Sequence, residues 1–175
     1  MAMFGILGLP AAAQPPLDYT ALLQTAAASP NEAFLSFIRN HGARRTDRPA
    51  VLEQMQRLRI VVPDTLPRGQ RFESIWTIDL PDQRGLAVHF AGNPANGASA
   101  VFMLFHRPAE GTPMGVHRVG TCAFSCSTGR ADGCEEWQLI HLTKPWVCRC
   151  LFAPAGMEQS DLEQILHATV PSSEN

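Results

Sequence analysis

Five cysteines lie in the last third of this 175-residue sequence, and they are the residues best suited to chemistry: Cys122, Cys126, Cys134, Cys148 and Cys150. In an oxidising compartment such a group forms disulfides, and an odd number leaves one thiol over. The segment between Cys126 and Cys134 is rich in turn-forming residues, so this pair is the first candidate for a bridge. Cys148 and Cys150 stand two apart on a predicted strand and cannot easily bridge each other, so either is a candidate partner for Cys122.

A metal site is the alternative use of these thiols. Its ligands would come from Cys122, Cys148, Cys150, His117 and His141. Structural zinc sites use paired ligands two to four residues apart, and only Cys122 and Cys126 approach that spacing, with no second pair. The spacing therefore favours disulfides, and we expect no cofactor. A redox-sensing role for the remaining thiol is a further alternative.

Known catalytic motifs do not occur in the sequence. The segment from Cys126 to Arg130 superficially resembles a phosphate-binding thiol loop, but three intervening residues are too few to form its ring of backbone amides. His89 and His106 lie on predicted strands, as do the two histidines above, and packing or solvent exposure is the commoner role there. No serine-hydrolase, zinc-protease, phosphate-loop or dinucleotide motif is present. The sequence leaves enzymatic activity open and favours a non-enzymatic protein.

Composition limits the class of partner. The formal net charge is −2, and no run of basic residues is longer than Arg44-Arg45. A positive field that could hold nucleic acid by counterion release is therefore not expected. Hydrophobic residues make up 45% of the chain and charged residues 17%, which is typical of a globular protein. The length predicts one domain.

The first thirteen residues, Met1–Ala13, form an apolar run that ends in small residues and is followed by Gln14 and two prolines. This pattern is typical of the second half of a secretory signal, although no basic residue precedes it. We therefore interpret residues 1–13 as the remnant of a signal or anchor segment, which gives a periplasmic or secreted location. The alternative is an N-terminal arm packed on the core.

Helices are predicted in the first third and at the C-terminus. Ser29 to Glu32 has the form of a capping box, and Gly42 supplies a left-handed stop after the apolar positions that follow. Asp18 and Asp47 are predicted to cap two further short helices. Near the C-terminus, a second capping box from Ser160 to Glu163 predicts a helix whose apolar side chains lie on the sheet.

Strands are predicted from Ile60 onward, because the apolar runs there alternate and are separated by glycine and proline. Both faces of the run Ala100–His106 are apolar, so we place it in the middle of the sheet. Short linkers favour hairpins. The fold class is therefore α+β, with N-terminal short helices, a largely antiparallel sheet of five or six strands and a C-terminal helix packed on it. Residues 14–171 form this domain, and residues 172–175 a disordered tail.

The region from Val62 to Val170 resembles the exported sensor region of bacterial transmembrane anti-sigma factors. The features that carry the resemblance are the segment Pro67–Leu80, the aromatic strand Ala100–His106, the tryptophan strand Trp137–His141 and a short closing helix. The cytoplasmic segment and the membrane helix of that family are absent from this sequence. The resemblance implies an isolated relative of the sensor half.

The sequence therefore predicts a non-enzymatic exported domain that binds a protein partner or senses conditions in the cell envelope. One alternative is a small metal- or thiol-dependent protein that uses Cys122, Cys148 and Cys150. Another is an accessory subunit of a membrane-bound assembly, attached through its apolar N-terminus. The partner and the oligomeric state are not specified by the sequence.

Overall fold

The computed structural model describes residues 30–81, 83–107, 117–119, 122–127, 136–143, 147–154 and 157–172. Its described strands form one sheet in the order β1-β2-β3-β4-β8-β7-β6-β5, and every neighbouring pair is antiparallel. Short helices precede the long strands, and one helix follows them. The predicted α+β class with an antiparallel sheet is confirmed. The possible signal segment, the helix predicted after Asp18 and the last three residues lie outside the described ranges.

The first described helix, α1, spans Pro30–Asn40 and begins at the proline where the sequence predicts its first turn. It ends at Gly42, which has a φ of 65°. The amide of Ala43 donates to the carbonyl of Ile38, and the amide of Gly42 donates to the carbonyl of Arg39. These two bonds form the left-handed helix stop that glycine favours, so the predicted end of the helix is confirmed.

A short strand and a second helix follow α1. Strand β1 spans Arg44–Thr46 and forms one edge of the sheet. A 3₁₀ turn over Pro49–Val51 leads into helix α2, Leu52–Arg57. The carboxylate of Asp47 accepts a hydrogen bond from the amide of Ala50 at 2.9 Å, at the start of the 3₁₀ turn. The prediction that Asp47 caps the helix was wrong, because the N-cap of α2 is Val51, without a side-chain cap bond.

Three long strands follow: β2 over Arg71–Leu80, β3 over Gln83–Ala91 and β4 over Val101–His106. Asp79 of β2 pairs in register with Arg84 of β3, close to the tight turn between the two strands. All six residues of β4 are buried, and β4 is the fourth of the eight strands. The predicted central position of this apolar strand is confirmed.

The second half of the sheet comprises four strands: β5 over His117–Val119, β6 over Cys122–Ser127, β7 over Glu136–Thr143 and β8 over Val147–Pro154. The apolar run His117–Phe124, which the sequence pattern predicts as a single strand, is instead divided between β5 and β6, which pair with each other as two antiparallel strands. Six of the eight strands are six residues or longer and two have three residues. The two three-residue strands, β1 and β5, explain why the sequence predicts only five or six strands.

The C-terminal helix α3 spans Gln159–His167, and Glu158 is its N-cap without a side-chain cap bond. The predicted capping box, which began at Ser160, was wrong, because the helix starts one residue earlier and Ser160 lies within its first turn. The predicted packing of the helix is confirmed. Leu162, Ile165 and Leu166 are buried in one apolar cluster with Leu151 of β8.

Helices cover both faces of the sheet. On one face, α2 and α3 pack on a large apolar cluster that includes Met55, Val88 and Phe105. On the other face, α1 packs on a smaller cluster that includes Phe34, Ile78 and Phe102. We call these the α2/α3 face and the α1 face. Because β3 and β4 are buried on both sides, polar groups that could bind a ligand lie at the ends and edges of this part of the sheet.

Candidate functional site

An open cleft of about 740 Å³ lies at the turn end of the β2–β3 hairpin, between the sheet and helix α2. We call it the arginine cleft. Its lining residues are Arg44, Arg45, Thr46, Ala50, Val51, Glu53, Gln54, Arg57, Leu58, Thr77, Gln83, Arg84 and Arg107. They come from strands β1, β2 and β3, helix α2 and the end of β4. Five arginines therefore meet around one cavity of a size usual for ligand sites.

Two acidic side chains lie against these arginines. Asp79 pairs with Arg84 across the hairpin at 3.4 Å and with Arg44 of the edge strand at 3.9 Å. Glu53 pairs with Arg57 one helical turn away on α2. Among the described residues, five arginines and two carboxylates leave an excess of three positive charges in and around the cleft. Asp79 lies within ion-pair distance of two guanidinium groups from different strands.

Two of the five arginines make no such pair. Among the residues that the structure describes, the guanidinium groups of Arg45 and Arg107 have no carboxylate partner. Arg45 lines the cleft, and its register position opposite Trp76 lies on the α1 face. Arg107 follows β4 directly and is exposed. The cleft thus presents positive groups that an anionic ligand can reach.

Hydrogen bonds from side-chain amides connect the elements around the cleft. Gln83 donates to the carbonyl of Arg107 at 3.1 Å and accepts from the amide of Arg107 at 2.7 Å. Gln54 of helix α2 donates to the carbonyl of Arg84 at 2.7 Å. These bonds join α2, β3 and the end of β4, so the walls of the cleft are held by the fold.

Arg48 anchors the start of helix α2. Its guanidinium donates to the carbonyl of Val62 at 2.9 Å, pairs with Asp64 and lies over the ring of Phe72 at 4.4 Å from the centroid. This arginine is therefore a structural residue, unlike the arginines of the cleft. It positions the helix that forms one wall.

Sequence reasoning missed the cleft, although one signal was available. The sequence contains thirteen arginines and a single lysine, and the net charge of −2 does not reveal this excess of arginine over lysine. Arginine is the residue that binds carboxylates and phosphates through two parallel hydrogen bonds. Arg44-Arg45 is the longest basic run, and no local sequence pattern connects it with residues 57, 84 and 107.

A second polar cluster lies at the other end of the same hairpin, on the α1 face. His89 of β3 faces Ser74 of β2, and its Nδ1 lies 3.4 Å from a carboxylate oxygen of Glu73. The imidazole stacks on the ring of Phe102 at 4.3 Å, and Phe34 lies on that ring at 4.4 Å. A register shift between Phe72 and Ser74 inserts Glu73 as an extra residue. We call this group the His89 cluster.

Burial lowers the pKa of His89 below its ordinary value of 6.5, and the negative charge of Glu73 acts in the opposite direction. The hydroxyl of Ser74 accepts a hydrogen bond from the indole of Trp76 at 3.1 Å. No hydrogen bond joins this hydroxyl to His89 in the described residues. The cluster contains a serine, a histidine and a glutamate, but it does not form the serine–histidine contact that nucleophilic catalysis requires.

The cysteine predictions fall mainly outside the described side chains. Cys134 lies outside the described residues, and Cys122, Cys126 and Cys148 are described only in their backbone. The proposed bridge between Cys126 and Cys134 therefore stays a prediction. Cys150 is buried in the apolar cluster of the α1 face.

The order of the strands bears on the pairing of Cys122 with the cysteines of β8. Cys122 belongs to β6, and β7 lies between β6 and β8. Two strand spacings amount to roughly 9.6 Å, whereas the Cα atoms of a disulfide lie less than about 7 Å apart. Strand order therefore disfavours bridges from Cys122 to Cys148 or Cys150.

The histidines proposed as metal ligands are on separate strands. His117 pairs in register with Phe124, and His141 pairs with Arg149, so neither is directly opposite a cysteine. The residue opposite Cys148 on β4 is His106, which is buried and whose Nδ1 lies 2.6 Å from the carbonyl of Arg107. Within the described part of the chain, no group of three or more possible ligands could hold a metal. The metal site stays a prediction.

Comparison with known proteins gives no relative for this chain. No protein family, no curated protein and no solved structure matches it. Among the described residues, no helix has the length and apolar character needed to cross a membrane. Function is therefore inferred from the geometry of the cleft.

Proposed function

We propose that this chain is a non-enzymatic binding domain that docks a protein partner at the arginine cleft. The observation that carries the proposal is the convergence of five arginines from four separate elements on one open cavity. Like charges that the fold brings together repel one another, and an anionic ligand relieves that repulsion. In the described part of the chain, Glu53 and Asp79 offset only two of the five.

The chemistry of the lining supports binding over catalysis. The lining residues offer guanidinium, amide and hydroxyl groups and one carboxylate, Glu53, which is paired with Arg57, and none is a histidine, cysteine or serine. Guanidinium groups stay protonated and therefore cannot exchange protons with a substrate near neutral pH. The net charge of −2 supports a protein partner over nucleic acid, because the residues outside the cleft carry more negative than positive formal charge.

Export and sensing are part of the same proposal. The apolar segment Met1–Ala13 supports a periplasmic or secreted location, and the group of five cysteines is typical of an oxidising compartment. The pattern shared with the sensor regions of anti-sigma factors supports a domain that acts by binding another protein. Measuring the intact mass and the thiol count of protein from its native cell tests these points: retained residues 1–13 with five reduced thiols would contradict export.

Site-specific photo-crosslinking tests the docking site. A photoreactive amino acid is placed at Gln54 in the wall of the cleft or, as the control, at Arg71 on the exposed start of β2. Both versions of the full chain are irradiated in the native cell. We expect one defined protein adduct from position 54 that is absent or much weaker from position 71. Equal adducts from both positions, or none from position 54, would refute docking at the cleft.

A further inference from the structure

We infer that the occupant of the arginine cleft is an extended acidic peptide segment of the partner, whose spaced carboxylates bind the cleft arginines. This inference rests on the proposed function and adds the chemistry of the ligand. It draws on the distribution of charge in the cleft and on the state of the sheet edge beside it.

The positive charge of the cleft is spread out and interrupted. Asp79 lies 3.4 Å from Arg84 and 3.9 Å from Arg44, and Glu53 lies beside Arg57. A doubly charged phosphate at Arg84 would therefore be close to a fixed carboxylate, which costs part of the attraction. Single carboxylates on separate side chains can contact one guanidinium each, and each carries only one negative charge, so its repulsion from Asp79 is smaller. The excess of three positive charges matches a segment with three acidic residues.

The donor geometry of the cleft also suits carboxylates. Arg84 uses its Nε toward Asp79, and Arg44 uses one terminal nitrogen, so each retains further N–H donors for a ligand. Arg107 has no ion pair among the described residues. Asp79 thus leaves most donors of the two guanidinium groups available. Guanidinium groups bind carboxylates through paired hydrogen bonds.

The edge strand beside the cleft favours a peptide over a small anion. β1 is the last strand on its side of the sheet, and all three of its residues line the cleft. In the described chain, the backbone of Arg44–Thr46 forms strand hydrogen bonds only with β2. A strand edge of this kind can pair with the backbone of an extended peptide. A free phosphate would leave those backbone groups unused.

A binding assay with defined probes tests the inference on the full-length protein. The probe is a fluorescein-labelled peptide of sequence Gly-Glu-Ser-Glu-Ser-Glu-Gly, and its control carries glutamine at each glutamate position. We expect the acidic peptide to bind at least tenfold more tightly than the glutamine peptide at low salt, and affinity to fall with added salt. Equal affinities for the two peptides would overturn the inference.

Two matched variants locate the binding. Arg107→Gln and Arg71→Gln each remove one positive charge from an exposed arginine, and neither breaks an ion pair in the described chain. We expect Arg107→Gln to weaken binding about tenfold, the loss usual for one charge-assisted contact. Arg71→Gln is expected to change it less than about twofold, because long-range attraction is screened at moderate salt. Equal losses would show attraction to net charge without a site and would contradict the inference.

Inorganic tripolyphosphate serves as the competing anion. We expect it to displace the peptide only at concentrations at which chloride of equal ionic strength also does so. Tight displacement by tripolyphosphate that is lost in Arg107→Gln would assign the cleft to phosphates and overturn the inference. A cleft-specific adduct in the crosslinking experiment, together with no binding of the acidic peptide, would overturn the ligand chemistry and leave the docking site intact.

Discussion

The two ends of the β2–β3 hairpin place charged side chains in contrasting surroundings. At the turn end, on the α2/α3 face, Asp79 and Arg84 are paired but exposed, with 37% and 55% of their side-chain surfaces accessible. At the other end, on the α1 face, His89 is half-buried between Glu73 and the ring of Phe102. The exposed pair Asp79 and Arg84 is available to a ligand. The half-buried His89 contributes to the stability of the fold and its response to pH.

The largest effect on stability is expected from the ring that supports His89. Phe102 is 3% exposed and contacts both His89 and Phe34. Phe102→Ala should lower the free energy of unfolding by about 3 to 5 kcal/mol, and Phe102→Leu by less than about 1.5 kcal/mol. Urea denaturation checks both. A loss below about 1 kcal/mol for the alanine variant would show that this end of the hairpin is not a packed core.

A gain in stability is expected at Gln70, just before β2. The side chain is fully buried, and within the described residues its amide nitrogen and oxygen have no hydrogen-bond partner. Gln70→Met removes these two desolvated groups and should stabilise the fold by about 1 kcal/mol.

The matched control for this change lies in the arginine cleft. Gln54→Met removes a bonded amide, which donates to the carbonyl of Arg84, and should destabilise the fold by about 0.5 to 1.5 kcal/mol. Thermal unfolding of the two variants compares them directly. The same sign of change for both would contradict this distinction between the two glutamines.

The contribution of His89 to the stability of the fold changes only within a limited pH range. Burial lowers the pKa of His89 in the folded protein, so the unfolded chain binds the proton more tightly. Its contribution to stability is therefore fully present above the unfolded value near 6.5 and is lost as the pH falls through the lowered folded pKa. His89→Gln should flatten this part of the stability profile, which denaturation between pH 7 and pH 4 measures.

Glu73 provides an independent check on the same group. Its charge raises the pKa of His89, so Glu73→Gln should lower that pKa further. Titration of the imidazole by NMR reports the change directly. A pKa that rises in the Glu73→Gln variant would contradict the raising effect of the Glu73 charge.

The smallest effect on stability is expected at Arg84 of the cleft. Because its ion pair with Asp79 is exposed, Arg84→Gln should cost less than about 1 kcal/mol. The same change should weaken binding of the acidic peptide about tenfold. Chemical denaturation and fluorescence anisotropy separate the two effects. A stability loss above about 2 kcal/mol would assign Arg84 to the fold instead of the ligand site.

The fold could be predicted from the sequence where the signals are local. The run Ala100–His106 is apolar on both faces, which is enough to place β4 inside the sheet, and Gly42 marks the end of α1. Strand β1 has only three residues, two of them arginines, and carries no apolar pattern. It forms because it pairs with Ile75 to Thr77 of β2, a contact that depends on the tertiary structure.

The arginine cleft could not be predicted because long-range register assembles it. Arg84 reads as an ordinary polar residue at the start of a strand, and Arg107 as one just after another strand. Their proximity depends on the β2–β3 pairing and on the bonds between Gln83 and Arg107. The cysteines form a local pattern because they are close in sequence, whereas the residues of the cleft span positions 44 to 107.

NMR of the arginine side chains during titration with the acidic peptide tests the ligand site most directly. The Nε–H signals of arginines resolve individual guanidinium groups in the intact protein. We predict that the signals of Arg44, Arg84 and Arg107 move together and saturate, while those of Arg39 and Arg71 stay unchanged. Movement of all these signals in proportion to their exposure, or of none of them, would contradict a ligand site at the arginine cleft.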